Sequence, residues 1–348
     1  MYLNLPILRF YLAISVVVYH LFNKIAPQAG TQAVFIFFLI SGFLVTKLLE
    51  ETYKSRYKEF VINRILRIYP LYLFSALVGY LVVCNFPDDA EHINTIFKKP
   101  SDLNIWLDNI FVFDLYTARE RLVPVAWSLN TELSFYLTFL ILSFFTIRFR
   151  IYFLLAFIPL PFLFVVVGIP FYGHYFGSGI AFSFGSLYYY FRDKIHFTLK
   201  IQYIALIMLP IVMYIIPSLL GSNGASINDF GWVLHIFVLF IVIVAFERFL
   251  NERGGEVYTF VSNTLGGLSY PIFLLHWPSS VIAYHFFSIE KNSYQHCMTA
   301  ASITIILSIV SYFLVDVPVM NLRKRIRENT FYSNKNASNV LVSFESAD

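Results

Sequence analysis

The sequence is poor in charge. Asp, Glu, Lys and Arg make up 13% of its 348 residues, against about 25% in soluble domains. It holds two cysteines, Cys84 and Cys297, and no His/Cys spacing that suits a metal. A disulfide between them is conceivable, but two unpaired small core residues is the plainer reading. The N-terminus lacks a basic stretch followed by a short apolar core and a small-residue cleavage site. The first apolar segment is therefore expected to stay in place. Internal repeats and low-complexity tracts are absent. What the sequence has instead is apolar mass: 58% hydrophobic residues, 39 Phe, 24 Tyr and a mean hydropathy of +0.68. A soluble fold of this size leaves about a quarter of its unfolded surface in water, and could not hide so much. Disordered chains and collagen-like fibres are excluded too. An outer-membrane barrel needs alternating strands around a polar lumen. The class that remains is an all-α polytopic membrane protein.

A span needs about 20 mostly apolar residues. About ten segments qualify: 5–23, 31–50, 68–86, 127–146, 151–168, 174–191, 200–217, 230–248, 268–288 and 296–317. With both termini cytoplasmic, 18 of the 25 Lys and Arg residues fall inside, 6 outside, and Arg9 within the first span. Excess basic residues belong on the cytoplasmic side. The expected organisation is one transmembrane domain over 1–322, with an external loop at about 87–126, and a flexible cytoplasmic tail over 323–348.

Ionisable residues inside spans are costly, so they are functional candidates. Arg9 and His20 are eleven residues apart, about three turns plus 20°, and share one helix face about 16 Å apart. Arg9 then sits near the cytoplasmic end and His20 near the external end. The bland alternatives are a snorkelling anchor and an interfacial histidine. Arg64 and Arg67 lie three apart at the mouth of the third span, neighbours on a helix. Two guanidinium forks suit phosphate oxygens; the alternative is lipid headgroup contact. Glu132 follows Trp127 and Ser128 near the external end of the fourth span. At that depth it is expected to orient His20 as a general base; otherwise it hydrogen-bonds backbone near an aqueous cavity. Ser41-Gly42 interrupts the second span and suits either helix packing or a narrow ligand. His276 lies between Pro271 and Pro278, marking a bent helix with a polar middle. Asp316 precedes Pro318 at the end of the last span.

Taken in order, these residues resemble acyltransferase family 3, the integral membrane acyltransferases that include bacterial O-antigen O-acetylases. The motifs are Arg9 with His20, Phe37-Phe38 with Ser41-Gly42-Phe43-Leu44, Arg64 to Pro70, Trp127 to Tyr136, Ser269 to Pro278, and Asp316 with Pro318. The resemblance runs from Arg9 to Pro318. Asn63 stands where many members have a further Arg, and Phe35 where many have Asp. The chain looks like a stand-alone member without a fused external domain.

The resemblance implies transfer of an acetyl group from cytosolic acetyl-CoA, a co-substrate, to a hydroxyl of an extracytoplasmic glycan such as O-antigen, lipid-linked forms included. No tightly bound cofactor, metal or nucleic acid is implied, and the location is the bacterial cytoplasmic (inner) membrane. Arg9, Arg64, Arg67, Ser41 and Gly42 would bind the donor. His20 and Glu132 would be catalytic. Ser41, Trp127, Ser128 and His276 are candidates for the oxyanion or acceptor. The rival class is a transporter or flippase of a lipid-linked sugar, suited by Pro-broken helices and buried charge. A different acceptor, such as peptidoglycan, exopolysaccharide or a small secreted molecule, is the nearer alternative.

Overall fold

The computed structural model describes residues 5–22, 28–115, 117, 119–168, 175–195, 198–215, 230–246 and 255–326. Most of the expected tail, 327–348, lies outside the described residues; the part before it, 323–326, is helical. Among the described residues there is no strand. The helices are α1 Leu5–Leu21, α2 Ala29–Lys47 (extended by a π turn, Leu48–Thr52), α3 Tyr57–Asn85, α4 Pro87–Ile93, α5 Leu103–Phe111, α6 Trp127–Leu142, α7 Ile147–Ala156, α8 Leu160–Val167, α9 Tyr175–Phe191, α10 Leu199–Pro210, α11 Phe230–Phe246, α12 Glu256–Phe287 and α13 Tyr294–Ser311.

Every segment read as a span overlaps a helix in its described residues, and 151–168 falls on two, α7 and α8, broken at 157–159. By length and composition, five described helical stretches can cross a membrane: Ala29–Thr52, Tyr57–Asn85, Pro124–Leu142, Ile147–Val167 and Tyr294–Ile326. Leu5–Leu21 and Lys200–Met213 are apolar but shorter. Leu73, Leu77 and Leu81, four residues apart on α3, leave an exposed apolar stripe. Such a surface is unusual in water and expected in lipid.

Two close helix pairs build the centre. α2 lies against α9, with glycines on both sides. A Cβ on Gly42 would stand 2.1 Å from the Phe182 carbonyl oxygen, and one on Gly185 1.9 Å from that of Leu39. Only the missing side chains allow these backbones to approach so closely. Beside them Phe182 stacks on Phe38 (4.7 Å between ring centroids) and on Phe135 (4.2 Å). α1 lies along α12, where Gly266 meets Pro6. The turn after α2 carries Glu50, which accepts from Arg150 and Tyr190, and Glu51, which accepts from Arg192 and Tyr189. These bonds tie the end of α2 to α7 and α9.

The stretch expected as a simple loop over 87–126 is structured. It contains α4 and α5, and α5 runs back along α3. The Trp106 ring meets Tyr80 at 5.5 Å, Tyr72 donates to the Asn109 carbonyl, and Tyr69 donates to the Phe111 carbonyl at 2.7 Å. Tyr69 is sixteen residues, about 24 Å of helix, before the end of α3. Val112 turns the chain there in a left-handed conformation (φ 56°), and Asn130 of α6 holds its carbonyl at 2.8 Å. The apolar face of α5 (Leu103, Leu107, Ile110 and Phe111) is exposed. Because the chain has folded back before α6 begins, α6 starts at a recessed level.

Candidate active site

α1 carries Arg9 and His20 on one face, and the two ends of that face meet different partners. At the His20 end, His20 Nδ1 lies 2.9 Å from His276 Nε2 of α12. The rings stack at 5.0 Å and 11°. His276 Nδ1 lies 2.8 Å from the Phe273 carbonyl oxygen, which can only accept. In the neutral pair, His276 Nδ1 therefore donates, and its Nε2 carries a lone pair. His20 Nδ1 donates to that lone pair, leaving His20 Nε2 as an acceptor. The Trp277 ring packs on His20 at 5.1 Å.

At the Arg9 end lie two small adjoining cavities. Arg9, Phe37, Ser41, Glu132 and Tyr270 line both. Ser128 and Phe273 line the first, nearer His276; Arg64, Arg67 and Tyr136 line the second. α3 is helical through Arg64, Arg67 and Pro70, so the two arginines are neighbours. Arg64 lies over the Tyr136 ring (5.6 Å) and Arg67 over Tyr270 (5.8 Å). The Tyr270 hydroxyl donates to the Ile68 carbonyl at 3.1 Å. Arg9 Nε and Arg64 Nε are buried without a hydrogen-bond partner among the described residues. Buried unpaired donors on cations are expensive.

Glu132 is where the expectation and the structure part. It was expected beside His20. Its Oε1 instead accepts from Ser41 Oγ at 2.7 Å and from the Tyr136 hydroxyl, and it interacts electrostatically with Arg9. The recessed start of α6 is the reason: five residues into this helix is already at the Arg9 level. Gly42 also departs from its donor-binding assignment, because it faces Phe182 of α9 and not the cavities. Ser41 and Ser128 were candidate oxyanion donors, but their hydroxyls donate to Glu132 and to the Val125 carbonyl (2.9 Å). Trp127 packs edge-on against Phe38 at 6.4 Å. His276, a candidate acceptor contact, is the partner of His20.

His20 lines neither cavity. Phe37, which lines both cavities, meets Phe273 edge to face at 6.2 Å. Phe273 lines the first cavity and supplies the carbonyl that holds His276.

Sequence reasoning named Tyr136 only as the end of a motif and gave it no role, although four residues after Glu132 is a helical neighbour. It also missed the fork between Arg323 and Asn63 Oδ1 (3.0 and 2.8 Å). An arginine from the last described helical segment thus reaches the position where many members of the family carry one on α3. Asp316 is buried and interacts with Arg67, Arg323 and Arg9.

A family profile described as an acyltransferase domain, the third of that series, matches residues 2–318. The chain belongs to this acyltransferase family. With this family and its long apolar helices, it is a membrane protein. It is 25% identical over 369 aligned residues to a Bacillus subtilis (strain 168) protein named "Putative peptidoglycan O-acetyltransferase YrhL". The match covers 90% of this chain and 54% of that relative, so the chain spans about half the relative's length. No solved structure matches.

Proposed function

We propose that this protein moves an acetyl group from cytosolic acetyl-CoA to a hydroxyl of an extracytoplasmic glycan, across a cytoplasmic (inner) membrane that it spans several times with both termini inside. The single observation that carries the reading is the polarity of one α1 face. Unpaired guanidinium donors lie at one end, and a tautomer-locked imidazole lies at the other. Arg9, Arg64 and Arg67 hold the phosphates of the donor. Its narrow arm passes Ser41 toward Phe37 and Phe273, so the thioester reaches the histidine pair.

His20 Nε2 accepts the proton of the acceptor hydroxyl as that oxygen attacks the thioester carbonyl. Collapse of the tetrahedral intermediate breaks the carbon–sulfur bond, and the thiolate takes the proton back from His20. Such a base contributes typically 10²–10⁴-fold. His276 gives the developing imidazolium a hydrogen-bond acceptor on its far side. The acceptor class draws on the peptidoglycan named for the relative and the O-antigen implied by the motifs, both hydroxyl-rich glycans.

The test is acetyl transfer by purified protein in liposomes, supplied with labelled acetyl-CoA on the inner side and glycan outside. His20→Ala should remain in the membrane and transfer nothing. Near-normal transfer by that variant would exclude His20 as the base.

A further inference from the structure

α12 runs on past the histidine pair. Nine residues beyond His276, about 13 Å along the helix, it meets α4 and the turn 288–292. Together they form an open groove of about 1020 Å³ lined by Asp89, His92, Tyr284, His285, Glu290 and Lys291. The groove is built by specific contacts. His285 Nδ1 lies 2.6 Å from Asp89 Oδ2, the His92 ring packs on Tyr284 at 5.0 Å, and Lys291 Nζ donates to the His92 carbonyl at 2.9 Å. None of these residues belongs to the donor cavities or the histidine pair.

A geometric link joins this groove to His20. Trp277 and Tyr284 are seven residues apart, about 20° short of two full turns. They share a face of α12 about 10 Å apart, and Trp277 already packs on His20. An aromatic row therefore leads from the groove to the base. The groove's chemistry differs from that of the arginine cavity. Asp89 and Glu290 stand against one ammonium, that of Lys291, so a polyanion has no advantage. Carboxylates that accept, an ammonium that donates and ring faces that cover C–H surface suit a ligand with many hydroxyls and alternating polar and apolar faces.

We propose that this groove is an acceptor subsite, holding sugar units of a glycan chain while the hydroxyl to be acylated reaches His20. It rests on the glycan-acceptor reading above. It commits the enzyme to extended acceptors in preference to single sugars, because the groove lies more than one helical turn from the reacting nitrogen.

The test separates binding from catalysis. In the His20→Ala background, a β-1,4-linked N-acetylglucosamine tetrasaccharide is titrated by calorimetry against full-length protein in detergent. Tyr284→Ala should weaken binding at least tenfold, and the exposed Glu290→Gln severalfold, with acetyl-CoA affinity unchanged in both as the check on folding. Absence of tetrasaccharide binding, or wild-type affinity in both variants, overturns the subsite. If the protein with His20 intact binds the tetrasaccharide through the groove but places no acetyl group on it, the subsite stands and the proposed activity fails.

Discussion

His20 and His276 sit 2.9 Å apart, Nδ1 to Nε2, although 256 residues separate them in the chain. With His276 fixed by the Phe273 carbonyl, the pair has one neutral hydrogen-bond pattern, and it leaves His20 Nε2 as a hydrogen-bond acceptor. A carboxylate was expected in the role of His20's partner. On the proposed mechanism a neutral imidazole takes it, without placing a second charge beside the base.

His276→Phe keeps a ring of similar size and removes the acceptor. We expect kcat to fall by about 10²–10⁴, with the donor KM within twofold of wild type. His276→Gln should recover part of the loss, since an amide oxygen can accept from His20 Nδ1. Steady-state transfer in liposomes reads both; equal losses in the two variants would assign His276 to packing alone.

Arg64→Ala removes one charge-assisted contact of about 1.5–3 kcal/mol. The apparent KM for acetyl-CoA should rise about ten- to a hundredfold, with kcat changed little. Arg67→Ala should behave likewise. Donor titrations at fixed acceptor decide it, and an unchanged KM removes the phosphate role.

Phe37→Ala opens the aromatic pair that Phe37 forms with Phe273. Water should then reach the thioester. Free CoA should be released without acceptor, and fewer acetyl groups transferred per CoA released. Thiol release and labelled product, measured together, give the ratio; one acetyl transferred per CoA in the variant would mean that the rings do not screen the reaction.

Gly185→Ala places a methyl group where the Leu39 carbonyl oxygen stands. Helix separation should cost about 1–3 kcal/mol. Thermal unfolding in detergent should begin several degrees lower. An unmoved transition would contradict the close α2–α9 contact.

Much of this was legible in single segments. Apolar run length located the helices, and the 3.6-residue period put Arg9 and His20 on one face. Arg64 and Arg67 needed only a helix that continued past Pro70. What failed to show were relations between segments. Glu132 was placed by counting from a presumed membrane boundary, and that count breaks when the preceding chain folds back into the helical layer. Ser41 and Gly42 are adjacent, yet the helix turn sends one to the cavity and the other to α9; sequence alone does not say which. The Asn63–Arg323 fork joins residues 260 positions apart, and neither residue carries a local sign of it.

The fold-back of α5 bears on how the protein keeps the membrane sealed. On the proposed orientation, α5 fills part of the outer leaflet beside α3, and the outer compartment begins at the level where α6 starts. The voltage and proton gradient then fall over a span of protein shorter than the surrounding lipid. On the same reading, the seal then depends on the layer of Phe37 and Phe273. On the proposed mechanism, the acyl group and the arm that carries it have to pass that layer on every turnover.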